Sequence, residues 1–142
     1  MAAIGWQGWA LLSAVFAALT AILAKVGVEG VDPDIATFIR TLVIVAILGV
    51  LLLVTGQKIG VVPARAYLFL TLSGLATGAS WLCYFRALGL GDAAQVAPLD
   101  KLSVVLVAIF AVIFLGERLS IRDVAGIALI TVGAILVATG RA

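Results

Sequence analysis

The chain has 142 residues, of which 65% are hydrophobic and 11% charged, with nine Lys and Arg side chains against seven Asp and Glu. A soluble domain is about half apolar and a quarter charged, so this composition is typical of a membrane protein. The sequence has no histidine, the commonest metal ligand and general base, and its single cysteine excludes an intrachain disulfide. We expect no metal, no cofactor and no nucleic-acid partner, since the basic residues are scattered.

Five segments are long and apolar enough to cross a bilayer, whose core of about 30 Å needs roughly 20 helical residues. The first begins with Trp6 and Trp9, which suit the membrane interface, and the second begins at Asp32-Pro33, an N-cap followed by a proline. The predicted spans are residues 6–28, 33–55, 66–89, 93–115 and 123–138.

Small residues mark two of these spans as helices that approach a neighbour closely. The first has alanines at helical spacing, at Ala10, Ala14, Ala17, Ala18, Ala21 and Ala24. The third carries Gly74 and Gly78 in the GxxxG spacing of membrane helix interfaces. We therefore predict helix packing at both glycines.

The fourth span starts at Asp92 with Gln95 three residues later, which is the spacing of a capping box. Pro98 follows, removes a backbone hydrogen bond and predicts a kink in this helix. Connections between spans are short. The predicted fold is an all-α integral membrane protein, a single domain over residues 1–142 in which five transmembrane helices form a bundle.

Charged side chains inside the spans all lie toward one side of the membrane. We call side one the side of the N-terminus and of the loops 56–65 and 116–123, and side two the side of the loops 29–34 and 89–92. Lys25 and Arg86 lie near side two, close enough to the helix ends for their charged groups to reach the interface. Both are interpreted first as interfacial anchors.

Three charged residues lie deeper. Arg40 is roughly 10 Å inside its helix and Asp100, followed by Lys101, is roughly 12 Å inside. A charge at that depth costs about 2.5–3.5 kcal/mol on insertion scales. Neighbouring residues of a helix point about 100° apart, so Asp100 and Lys101 each need a partner on another helix, or water. Arg40 is the candidate partner for Asp100, either as an ion pair that fixes the helix register or as part of a functional site.

The count of Lys and Arg residues favours side one in the cytoplasm if Lys25 and Arg86 are left out, and gives nearly no preference if both reach the interface, so the bias is weak or moderate. Side one carries Lys58, Arg65, Arg118 and Arg122, and side two carries Arg141 and, if their side chains reach the interface, Lys25 and Arg86.

The stretch Tyr84–Ser120 resembles the EamA family of the drug/metabolite transporter superfamily. The resemblance rests on three motifs: Tyr84-Phe85-Arg86-Ala87-Leu88, Gly91-Asp92-Ala93-Ala94 with Val96-Ala97-Pro98-Leu99, and Leu115-Gly116-Glu117. Most members have ten spans in two halves of opposite orientation, and this chain resembles one half. The resemblance therefore implies a homodimer, antiparallel in the membrane, or a partner half from another chain.

We predict a secondary transporter, an exporter of small metabolites such as amino acids, in the cell membrane and with no enzymatic activity. Arg40, Trp81, Tyr84, Asp100 and Lys101 would line a central cavity for substrate binding or coupling. Their summed charge favours an anionic or zwitterionic solute, and Asp100 is the candidate for proton coupling. Two alternatives stay open: a non-transporting accessory or scaffold subunit, and a lipid head-group flippase.

Overall fold

The computed structural model describes residues 5–57 and 60–140. The regular elements of this part of the chain are all helices: α1 (Trp6–Gly27), α2 (Pro33–Thr55), α3 (Ala64–Leu90), α4 (Ala93–Asp100), α5 (Ser103–Leu115) and α6 (Ile121–Thr139). With α4 and α5 taken together, five helices are long and apolar enough to cross a membrane. The predicted all-α fold with five membrane spans is confirmed, and the protein is an integral membrane protein.

The described chain divides into two compact units. The first, Leu23–Leu90, contains the end of α1 together with α2 and α3, and we call it the α2–α3 unit. The second joins the chain up to Ile22 to the chain from Gly91 onward, and we call it the α4–α6 unit. In the first unit α2 packs against α3, and in the second α6 packs mainly against α4 and less against α5.

The start of α2 follows from its local sequence. Asp32 Oδ1 accepts hydrogen bonds from the backbone N–H of Asp34 at 2.8 Å and of Ile35 at 3.3 Å. Pro33 is the first helical residue, where its missing N–H costs nothing. The helix ends at Gly56, whose φ of 62° lies in the left-handed region that glycine adopts without strain. The predicted N-cap of this span is confirmed.

Replacing Asp32 with alanine is expected to lower the free energy of unfolding by about 0.5–2 kcal/mol, because two backbone N–H groups lose their acceptor. Asp92 provides a matched control, since it occupies the N-cap of α4 but makes no side-chain capping bond. Equilibrium unfolding in mixed micelles would compare Asp32→Ala with Asp92→Ala. Equal losses would contradict the capping role of Asp32.

Small side chains form much of the buried interior. The buried apolar residues are Ala21, Ala24, Val28, Phe85, Leu88, Ala111 and Ala134, and among the described residues only Leu88 is fully buried, at 0% exposure. The alanine face predicted for α1 is buried only at its end, because Ala10, Ala14, Ala17 and Ala18 are exposed. Most large apolar side chains are also exposed, as expected for helices that face lipid.

The fourth span differs from the prediction of one continuous helix. It consists of α4 and α5, separated by a turn at Lys101 and Leu102. In this turn the N–H of Lys101 donates to Pro98 O at 3.1 Å and the N–H of Leu102 donates to Leu99 O at 3.0 Å. These bonds close over three residues, as in a 3₁₀ turn, and interrupt the α-helical ladder.

Two helix starts also differ from the predicted bounds. The third spanning helix begins at Ala64, two residues before the predicted position 66. The fifth begins at Ile121, because Ser120 and Asp123 form a capping box in which each side chain accepts from the other's backbone N–H.

Candidate functional site

Arg40 is the centre of an aromatic cluster in the α2–α3 unit. Its guanidinium carbon lies 3.8 Å from the ring centroid of Trp81 and 5.5 Å from that of Phe85. Arg40 and Trp81 are half-buried, and Phe85 is buried at 3% exposure. A guanidinium over an aromatic face is attracted by the ring quadrupole, which contributes about 0.5–2 kcal/mol. Two of the predicted site residues, Arg40 and Trp81, are therefore brought together.

Tyr84 belongs to the same neighbourhood. It follows Trp81 by one helical turn on α3, is half-buried and is close enough to Arg40 for an electrostatic interaction. The α2–α3 unit thus collects three of the five residues that the sequence proposes for substrate binding or coupling. Phe85 also contacts Arg40, although no sequence pattern indicated a role for it at the site.

A second arginine of this unit is bound to a carboxylate. Arg86 donates from Nη2 to Asp34 Oδ2 at 2.8 Å and from Nε to Asp34 Oδ1 at 3.2 Å, which is a two-point ion pair. Both side chains are about half exposed, so the pair contributes little to stability. Asp34 lies in the first turn of α2, where a negative charge also suits the helix dipole. Arg86 is therefore held by a protein partner in addition to lying near the interface.

Lys25 also has a partner within the protein. Its Nζ donates to the backbone oxygen of Leu88 at 2.9 Å, in the last turn of α3. The last carbonyl groups of a helix have no acceptor role within the helix, and a cation there is favourable. This contact ties the end of α1 to the end of α3.

An open cleft of the α2–α3 unit lies at the same end as the Arg86–Asp34 ion pair and the hydrogen bond from Lys25 to Leu88 O. It has a volume of about 450 Å³ and is lined by Val28, Val31, Pro33, Arg86, Gly89 and Leu90. Arg40 and Trp81 are not among these lining residues, so the central cavity predicted around them stays a prediction.

Asp100 and Lys101 lie in the α4–α6 unit, at the break between α4 and α5. Helical spacing predicts that the two side chains do not face each other well and that each needs another partner, but Lys101 Nζ lies 3.4 Å from Asp100 Oδ2. The side chains are 38% exposed for Asp100 and 57% exposed for Lys101. An ion pair of Arg40 with Asp100 stays a prediction.

Pro98 lies inside α4, and the helix continues for two residues beyond it to Asp100. Gln95, near the start of this helix, donates from Nε2 to Gly140 O at 3.0 Å, and Asp92 makes no side-chain capping bond. The predicted capping box of Asp92 and Gln95 is therefore wrong, because Gln95 instead caps the end of α6.

Gly74 and Gly78 lie on a part of α3 whose residues 71–80 are all exposed. A Cβ added at either glycine would meet nothing within 4 Å. The α2–α3 unit itself therefore supplies no packing partner at these glycines, and the helix packing predicted there stays a prediction. Among the described residues, no three His, Cys, Asp or Glu side chains come together as metal ligands.

Comparison with known proteins places this site in a family. The profile of the EamA-like transporter family matches residues 4–139, which include both units. A Sinorhizobium sp. protein named "Uncharacterized transporter in cobO 3'region" is 62% identical over 135 residues, which make up 94% of this chain and 96% of that protein. No solved structure matches the chain.

Proposed function

Because this chain belongs to the EamA-like transporter family and is a membrane transporter, we propose that it is a secondary transporter that exports small metabolites, such as amino acids, across the cell membrane. The observation that carries the proposal is the extent of the family match, which includes all five spanning helices. Family and relative also point to a transporter rather than an enzyme.

We propose that the working unit is an antiparallel homodimer. A second copy inserted in the opposite orientation creates the inverted repeat on which many transporters are built, the same arrangement that a tandem copy of five spans would adopt. The Sinorhizobium protein is matched over 96% of its length, so it too has about the length of a single five-span half. The weak charge bias between side one and side two favours insertion in both orientations. Of the residues behind that bias, Lys58 and Arg141 lie outside the described residues.

We propose that Arg40, Trp81 and Tyr84 bind substrate, and that Asp100 and Lys101 contribute the coupling group. Support for Asp100 comes from its position at an interrupted helix. Non-helical backbone at membrane depth occurs where it is buried in protein or lines a water-filled cavity. Its contact with Lys101 is long, at 3.4 Å, and the Asp100 side chain is 38% exposed, so the carboxylate is not enclosed by this pair.

Replacing Asp100 with asparagine is expected to abolish proton-driven flux in proteoliposomes while exchange of solute down its own gradient continues, because the amide cannot carry a proton across. The measurement is uptake of a panel of amino acids and organic acids with and without an imposed pH gradient. Asp92→Asn is the matched control, since Asp92 flanks the opposite end of α4 and makes no side-chain capping bond. Unchanged gradient-driven flux in Asp100→Asn would remove Asp100 from the mechanism.

One observation favours a second candidate, an accessory or scaffold subunit. The exposed stretch 71–80 of α3, with Gly74 and Gly78, suits close packing against a helix of a different protein as well as against a second copy. Purification in mild detergent separates the two candidates. A homodimer with flux supports the transporter, whereas a monomer that copurifies in fixed ratio with another membrane protein and shows no flux supports the scaffold.

A further inference from the structure

Arg40 lies against an aromatic ring, with its guanidinium carbon 3.8 Å from the ring centroid of Trp81. We propose that its guanidinium edge is a binding site for the carboxylate group of the substrate, an inference that rests on the proposed function and defines its substrate class. Among the described residues of the α2–α3 unit, no carboxylate or carbonyl oxygen accepts a hydrogen bond from Arg40. A half-buried guanidinium whose donors are not taken by protein oxygens can offer them to an anion.

Two other cationic side chains near side two already donate hydrogen bonds to protein oxygens. Arg86 donates two hydrogen bonds to Asp34, and Lys25 donates one to Leu88 O. The register of α2 against α3 determines which arginine contacts a carboxylate and which contacts an aromatic ring. Asp34 meets Arg86 at the ends of the two helices, and about two turns deeper Arg40 meets Trp81. The contact with Asp34 thus occupies Arg86 and leaves Arg40 as the arginine available to a solute.

Trp81 determines how an anion approaches. With the ring centroid 3.8 Å from the guanidinium carbon, one face of the planar group is covered. The donors of a guanidinium point outward in its plane, so the covered face leaves the edge free for hydrogen bonding. A carboxylate matches this edge with two parallel N–H···O bonds, which is the geometry that distinguishes arginine from lysine.

Charge balance selects a monoanion. One guanidinium supplies one positive charge, the charge of Arg86 is balanced by Asp34, and the ammonium of Lys25 is held by the backbone oxygen of Leu88. A phosphate monoester carries close to two negative charges and would leave one uncompensated in a partly buried setting, which is unfavourable. We therefore infer that the site prefers a carboxylate to a phosphate.

Fluorescence of Trp81 tests this directly and requires no transport. The chain has three tryptophans, so Trp6→Phe with Trp9→Phe leaves Trp81 as the only one. Purified protein in micelles is titrated with butyrate, butyramide and butyl phosphate at about pH 8, where the phosphate is doubly charged. Butyrate is expected to change the Trp81 emission saturably and to bind about tenfold or more tightly than either of the other two, as a charge-assisted hydrogen-bond pair implies.

Two variants provide the contrast. Arg40→Lys keeps the charge but loses the planar edge, and is expected to weaken butyrate binding about tenfold or more. Arg65→Lys is the matched control, since Arg65 also lies near an aromatic ring, 5.8 Å from that of Phe69, and should bind butyrate as the parent does. If Arg40→Lys does not fold, the comparison of butyrate with butyramide in the parent protein decides.

Equal responses to butyrate and butyramide, tighter binding of butyl phosphate, or undiminished binding in a folded Arg40→Lys would each overturn the inference. Its failure is distinguishable from failure of the proposed function. Butyrate binding by a protein that moves no solute supports this site and contradicts the transporter. Flux without any response to butyrate contradicts the site alone.

Discussion

Replacing Leu88 with alanine is expected to lower the free energy of unfolding by about 2–5 kcal/mol. Leu88 is fully buried, at 0% exposure, and the truncated side chain would leave a cavity in the α2–α3 unit. Lipid tails are as apolar as leucine, so the loss comes from packing contacts more than from transfer out of water. The effect should therefore fall toward the lower end of that range.

The measurement is equilibrium unfolding in mixed micelles, with Leu90→Ala as the matched control. Leu90 lies two residues farther along the same helix and is 91% exposed, so its truncation should change the free energy of unfolding by less than about 0.5 kcal/mol. The hydrogen bond from Lys25 to the backbone oxygen of Leu88 is available in both variants. Similar losses at the two positions would show that burial in this unit does not govern stability.

Local chemistry predicted the parts of the fold that depend on a few neighbouring residues. Asp32 caps α2 because its acceptor and the N–H groups it binds are two and three residues apart. The spans were predictable for the same reason, since length and hydrophobicity are properties of one segment. Gln95 shows the limit, because its partner, Gly140 O, lies 45 residues away and no local pattern indicates it.

The residues of the candidate site could be predicted, but not their partners. Arg40 and Trp81 were singled out from residue type and depth, yet their contact depends on the register of α2 against α3. Asp34 with Arg86 depends on the same register. One signal was available: the short connection between α2 and α3 makes them antiparallel, which brings the start of one to the end of the other.

An irregularity in the fourth span could be predicted from the sequence, but its position could not. A proline removes the hydrogen bond to the carbonyl four residues earlier, which predicts an irregularity before Pro98. In the structure α4 continues to Asp100, and the interruption follows at Lys101 and Leu102. The chain there changes to bonds that close over three residues, and no proline or glycine stands at either position to indicate it.

Variants locked in one orientation are expected to lose flux when expressed alone and to regain it when expressed together. Added lysines in short loops bias those loops toward the cytoplasm. Val61→Lys with Leu119→Lys adds charge to side one, whereas Glu29→Lys with Leu90→Lys adds charge to side two. The four positions are exposed, so the substitutions should leave the fold intact. Each locked pair would supply one orientation only, and an antiparallel dimer needs both.

Reporter fusions on the 56–65 loop would establish that each pair is locked, and proteoliposome flux would establish activity. A protein with all four substitutions is the matched control, because it carries the same added lysines with the original balance between the sides, and should transport as the parent does. Full flux from either locked pair alone would contradict the antiparallel dimer. It would also mean that the charged side chains near side two, of which Arg40 and Asp100 are among the deepest, lie on the same side of the membrane in every copy. A solute would then meet these groups from one side only, and the second half-site of an inverted repeat would have to come from a different chain.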